Sequence, residues 1–129
     1  MHATHGVQAP SVIERVGSNA IMEIVEKHLA PILIENTAAS IEGRGPHGLY
    51  HKMQEARRNN PKLIYYYQSD YKGYYDHILH DRLIEIIKRY IADPVLLPIL
   101  IDFVKALHPN DNVGISKGLR SSQFFGNLY

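Results

Sequence analysis

The sequence predicts an α+β fold, mostly helical with a short sheet. Three observations carry that prediction. Apolar residues recur at helical spacing over several long stretches. One run, Lys62–Asp70, is instead dense in Leu, Ile and consecutive tyrosines, which is the composition of a strand. Clusters of Gly, Pro and Asn separate these segments and mark the turns between them.

The elements follow in order. Residues Met1–Pro10 mix Gly, Pro and polar side chains and read as a lead-in or partial strand. A helix is expected from Ser11, with Val12, Val16, Ala20, Ile24 and Leu29 near one face and Ile13, Ile21 and Val25 beside them. Ser11 suits the N-cap, and Glu14 sits where a capping box needs an acceptor. Gly17 weakens continuity, and Ser18 offers a second start. Pro31 kinks or ends the helix because its ring clashes with the preceding turn, and Ile32–Glu35 can resume it.

Thr37–Gly45 reads as a loop. Pro46 suits the first position of a second helix over 46–58, stopped by Asn59, Asn60 and Pro61. The strand 62–70 follows, then a tight segment at Gly73. Two more helices are expected, over 79–91 and 94–107, the latter capped by Asp93 with Pro94 at its first position. His108–Gly118 reads as a loop, after which Ser121 or Ser122 caps a last helix. That helix presents Phe124, Phe125, Leu128 and Tyr129 with no later chain to cover them. The expectation is therefore a segment of a longer protein, able to form a homodimer through this face or through Tyr65–Tyr67.

Bulk properties narrow the class. At 129 residues the chain suits one domain or one large subdomain. With 45% hydrophobic and 21% charged residues it has material for a core, which excludes a chain disordered throughout. The absence of cysteine excludes a disulfide framework and a thiolate zinc site. The longest apolar run, Val95–Leu107, is broken by Pro98, Asp102 and Lys105, so no membrane partner is expected. The N-terminus lacks the apolar stretch of a signal peptide, and the reading is a soluble, cytoplasmic protein. Fourteen basic against thirteen acidic residues give a net charge of +1, too balanced to mark a nucleic-acid binder on its own. The eight histidines are scattered and form no ligand spacing.

Two motifs carry chemistry. In Ser69-Asp70-Tyr71-Lys72-Gly73-Tyr74-Tyr75-Asp76-His77-Ile78, an apolar run ends in a carboxylate, followed by a base, a glycine turn, two aromatics and a second acid. Ligands of open α/β sheets sit at strand ends, where Asp70 could hold Mg²⁺ together with substrate phosphates. The same residue also suits a plain turn. In Gly114-Ile115-Ser116-Lys117-Gly118-Leu119-Arg120-Ser121-Ser122-Gln123-Phe124-Phe125-Gly126-Asn127-Leu128-Tyr129, two glycines bracket a loop that can approach a ligand closely, and a helix N-terminus follows.

Taken together and in this order, the motifs resemble the reverse transcriptase family. Asp70 through Asp76 resembles its first palm motif, and Gly114 through Tyr129 its next. Upstream, Ser40–His47 resembles the fingers segment of bacterial members, and Glu14-Arg15-Val16 with Leu29–Leu33 resembles their first fingers helix. The resemblance spans about residues 12–129. It implies a fingers segment over 1–61 and the first part of the palm of a right-hand polymerase over 62–129. It further implies that Asp70 binds the catalytic metals, with the Tyr71 carbonyl as a backbone ligand. Tyr75 would gate the sugar of the incoming nucleotide, Gly118 would pack against that nucleotide, and Arg44 would hold nucleic acid or triphosphate.

The implied activity is RNA-directed DNA polymerisation with two Mg²⁺ ions, an RNA template, a DNA primer and deoxynucleoside triphosphates. A Tyr-x-Asp-Asp motif is absent, so this segment alone is expected to be inactive. Lys117 and Ser121-Ser122-Gln123 depart from intron-encoded relatives and lie nearer to retron-like or diversity-generating ones. The rival readings are a non-catalytic RNA-binding module and a structural remnant.

Overall fold

A computed structural model of the chain describes residues 11–39, 41, 43–108 and 112–129. The expected lead-in at 1–10, Ser40 and Glu42 of the upstream motif, and loop residues 109–111 lie outside the described residues.

Helix α1 runs Val12–Leu29 without a break at Gly17. Its start is the expected capping box: the Ser11 backbone N–H donates to Glu14 Oε2 at 2.7 Å, and the Glu14 N–H donates to Ser11 Oγ at 3.3 Å. Pro31 ends the helix, because Ala30–Ile32 tightens into a 3-10 turn and the chain beyond does not return to helix. Helix α2, Pro46–Asn59, opens on its proline as expected. A short 3-10 turn, Tyr74–His77, leads into α3, His80–Tyr90.

Asp93 accepts the Val95 and Leu96 N–H groups at 2.9 and 2.7 Å in the turn before α4, Leu96–Ala106, whose N-cap is Val95, so the helix starts two residues later than expected. Pro94 lies in the turn before that helix rather than at its first position. Helix α5, Arg120–Leu128, closes the order. Its cap is Leu119, so neither Ser121 nor Ser122 caps it; both hydroxyls are buried and lack a hydrogen-bond partner among the described residues. The helix begins at Arg120, which turns both serines inward with Phe124 and Phe125.

The expected α+β architecture with a short sheet is overturned. Helix accounts for 61% of the structure, extended pairing for 2%, and that pairing is the isolated antiparallel bridge of Leu79 with Val113. Among the described residues there is no sheet. The reason lies at Lys62–Asp70. A run rich in β-branched and aromatic residues disfavours helix, but a strand exists only where a ladder satisfies its backbone groups. Here Tyr65–Asp70 is neither helical nor paired, and its backbone forms no hydrogen bond with another described residue.

The core forms where four helices meet. Met22, Val25 and Leu29 of α1 pack with Leu83, Ile84 and Ile87 of α3, Leu100 and Val104 of α4, and Phe124 and Phe125 of α5. Phe124 and Phe125 on the aromatic face of α5 are therefore covered by their own chain, whereas Tyr129 is 38% exposed. Phe124 and Phe125 are fully buried, Phe125 lies 6.1 Å from the Phe103 ring, and Leu128 packs at the edge. Burial of each such ring is worth about 1.5–3 kcal/mol, enough to fix α5 in place. Between Leu33 and Ile78, by contrast, no described residue is buried. No helix among the described residues is long and apolar enough to cross a membrane.

Candidate functional site

The two sequence motifs meet at the turn between the extended run and α3. Gly73 adopts a left-handed conformation, φ 68°, that allows the chain to reverse there. The Tyr74 N–H then donates to the Tyr71 carbonyl at 3.2 Å and the Asp76 N–H to the Gly73 carbonyl at 3.0 Å. Backbone bonds join this turn to the second motif: Gly114 N–H to Ile78 O at 2.7 Å and Ile115 N–H to Tyr75 O at 3.0 Å. Gly114 is itself left-handed, φ 89°, and a Cβ there would lie 3.4 Å from the Asp76 carbonyl oxygen. The buried His80 ring fastens the loop from below, with Nε2 2.6 Å from Gly114 O.

Side chains complete the join. Lys117 Nζ lies 2.8 Å from Asp76 Oδ2. The Tyr74 hydroxyl donates to the Gly126 carbonyl in α5 at 2.7 Å. The Tyr75 ring lies so close to α5 that a Cβ on Gly126 would sit 3.0 Å from Tyr75 Cε1. Burial, and then the neighbouring phenols of Tyr75, Tyr129 and Tyr71, push the Tyr74 phenol above its ordinary pKa, so it stays a protonated donor.

The expected site residues fall into different settings. Asp70 is exposed at the end of the extended run and forms no ion pair with a described residue. Tyr71 is 77% exposed, and its carbonyl accepts one bond, from Tyr74, of the two it can take. Tyr75 is half-buried between its own turn and α5. Gly118 is left-handed, φ 90°, in the exposed loop before α5. Arg44 is turned back on its own loop, with Nη1 3.3 Å from Glu35 O and 3.5 Å from Thr37 O. The fold thus joins Tyr75 to the second motif, while no hydrogen bond or ion pair links Arg44 to Asp70, Tyr75 or Gly118 among the described residues. No group of three or more His, Asp or Glu gathers among the described residues to hold a metal.

A second feature was invisible to overall composition. Residues 44–62 hold five of the fourteen basic residues, Arg44, Lys52, Arg57, Arg58 and Lys62, against one acid, Glu55, so this stretch carries +4 and the rest of the chain −3. Helix α2 at its centre buries no residue. Lys52 is tied to Glu35 at 3.3 Å and Asn36 at 2.9 Å, whereas Arg57 and Arg58 line a shallow cleft of about 350 Å³ with Gln54 and Pro61. A charge count taken in local windows, rather than over the whole chain, exposes this patch. A larger cleft, about 760 Å³, lies between α1, α4 and the start of α5, with Arg15, Asn19, Phe103 and Ser121 in its wall.

No protein-family model matches the chain, and neither does any curated protein or solved structure.

Proposed function

We propose that this chain is the fingers and first palm portion of a cytoplasmic reverse transcriptase, which copies RNA into DNA. The observation that supports this reading is the interlock of its two motifs. The Asp70–Asp76 turn and the Gly114–Tyr129 segment are distant in sequence but packed together through Tyr74, Tyr75, Ile115 and Gly126. A polymerase needs such a join, because the carboxylate that holds its metal must be fixed relative to the loop that meets the nucleotide.

In this reading Asp70 and the second lone pair of the Tyr71 carbonyl would contribute to the shell of a Mg²⁺ ion, which favours oxygen donors and retains several waters. Bound there, the metal would supply charge stabilisation to the transferring phosphoryl group. One carboxylate does not hold two ions, so the remaining acidic ligands would come from elsewhere in the parent protein. Tyr75, held against α5, would close off the space beside a 2′-hydroxyl and select deoxynucleotides. Gly118 lets the backbone approach the base pair, and Arg44 with the basic stretch around α2 would track template and primer phosphates.

Primer extension on an RNA template with Mg²⁺ tests the proposal in the parent reading frame. Asp70→Asn should abolish extension while far-ultraviolet circular dichroism stays unchanged, since Asp70 is exposed and carries no packing. Full extension by that variant would overturn the assignment. The +4 charge around α2 favours a second reading for the chain by itself, a non-catalytic RNA-binding module. Salt-sensitive RNA binding by a parent without polymerase activity would select it.

A further inference from the structure

The run 62–70, a turn at Lys62 followed by extended backbone, is the most conspicuous surface without a role in the packed body. Leu63, Ile64, Tyr65, Tyr66 and Tyr67 are 49, 72, 90, 86 and 90% exposed. The Leu63 and Ile64 N–H groups are already bonded, to Asn60 O and Lys62 O, both at 3.0 Å. From Tyr65 to Asp70 the backbone groups have no partner among the described residues. Such a run is an edge on both sides, and unpaired edges recruit strands.

We propose that this run pairs antiparallel with the same run of a second copy of the chain, in the register that sets Tyr66 opposite the partner's Tyr66. The charges at its two ends select both the occupant and the register. Lys62 and Asp70 are the only charged residues of the run and lie equally far from Tyr66. Neither forms an ion pair among the described residues. Lys62 lies in the turn just before the extended residues, and antiparallel pairing about Tyr66 brings that end of each chain to the partner's Asp70. Parallel pairing would set lysine on lysine and aspartate on aspartate, which is repulsive. Sliding the register by one residue would move every side chain to the other face.

The same register uses the free backbone. Adjacent residues alternate between hydrogen-bonded and non-bonded pairs in an antiparallel ladder. With Tyr65 bonded to the partner's Tyr67, the Ile64 N–H points outward and keeps its existing turn bond; the Leu63 N–H stays with Asn60 O, so the ladder closes at the Tyr65–Tyr67 pairs. Tyr66 and its counterpart then meet on one face, flanked by Ile64 against the partner's Gln68. On the other face Tyr65 meets the partner's Tyr67. Cross-strand aromatic pairs of this kind stabilise a ladder beyond the area they bury. The inference rests on the run alone and does not depend on the polymerase reading.

Sedimentation velocity of the 129-residue chain, without metal or nucleic acid, tests it. The natural chain should show a concentration-dependent dimer. Lys62→Glu and Asp70→Lys should each weaken association roughly tenfold, because each replaces both attractive end pairs with repulsive ones. The double swap Lys62→Glu/Asp70→Lys should restore the dimer, and so should an equimolar mixture of the two single variants, which re-forms opposite pairs across the two chains. Both positions of the test lie on exposed side chains, and circular dichroism should report one fold throughout. A natural chain that stays monomeric at every concentration, single variants that dimerise as well as it does, or a mixture that fails to recover would each overturn the proposal.

Discussion

The helical body and the stretch between Leu33 and Ile78 are built on opposite terms. In the body, α1, α3, α4 and α5 each turn a stripe of apolar residues to a shared core, and every one of them owns fully buried side chains. In the other region α2 and the 62–70 run bury nothing, although they carry Tyr50, Met53, Leu63, Ile64 and a run of tyrosines. Within this second region, residues 44–62 carry five basic residues against one acid. Side chains that do not stabilise the monomer are free to meet something else. The difference therefore separates a packed scaffold from an exposed stretch.

The largest effect that would sharpen this contrast is on stability. Phe124→Ala should cost about 3–5 kcal/mol in urea denaturation, since it opens a cavity in the shared core. Tyr66→Ala should change stability by less than about 0.5 kcal/mol, since an exposed side chain has no packing to lose. Equal costs at the two sites would break the comparison.

A middle-sized effect concerns nucleic acid. Replacing both Arg57 and Arg58 with alanine should weaken binding of an RNA·DNA hybrid roughly tenfold and lower the salt slope by about two phosphate contacts. Lys105→Ala, on the exposed side of α4, should leave both unchanged. Equal loss from either change would place the contact surface on the body.

Gly126→Ala gives a smaller effect. Alanine favours the helix by about 1 kcal/mol, but its Cβ would press on the Tyr75 ring at the join between motifs. Overpacking costs about 1–3 kcal/mol, so a net loss of about 1 kcal/mol is expected. Displacement of the Tyr75 ring resonances in NMR spectra would report the clash.

The smallest effect is pH dependence at the helix starts. Bonds from the Leu96 and Val95 N–H groups hold the Asp93 carboxyl below the usual value of 3.8, and the Ser11 backbone N–H, then its hydroxyl, hold Glu14 below 4.5. A carboxyl depressed by folding contributes stability that is fully present above its unfolded value and lost as pH falls through the folded one. Stability should therefore decline below about pH 4, and Asp93→Asn should flatten part of the decline while preserving the two hydrogen bonds.

Much of the body was legible in the sequence because its signals are local. Ser11 with Glu14, Pro46 and the Asn59–Pro61 stop each act within one helical turn and mark their helix ends as expected, while Asp93 lies in the turn two residues before the cap of α4. The features that depend on distant partners were not legible. Strand-forming composition at 62–70 specifies an extended backbone but not the neighbour that makes a sheet. Ser121 and Ser122 have cap chemistry, but the neighbouring phenylalanines are buried in the core and the helix starts a residue earlier. The apolar face of α5 looked unpartnered because α1 and α3 reach it only through the fold. The motif residues were found by resemblance, whereas the basic patch of α2 vanished into a net charge of +1.

Hydrogen–deuterium exchange of the chain with and without an RNA·DNA hybrid tests the division of labour most directly. The expected result is new protection over residues 44–62, centred on α2, with α3 and α4 unchanged. Protection confined to α3 and α4, or none anywhere at saturating hybrid, would contradict the assignment of this exposed stretch as the nucleic-acid surface.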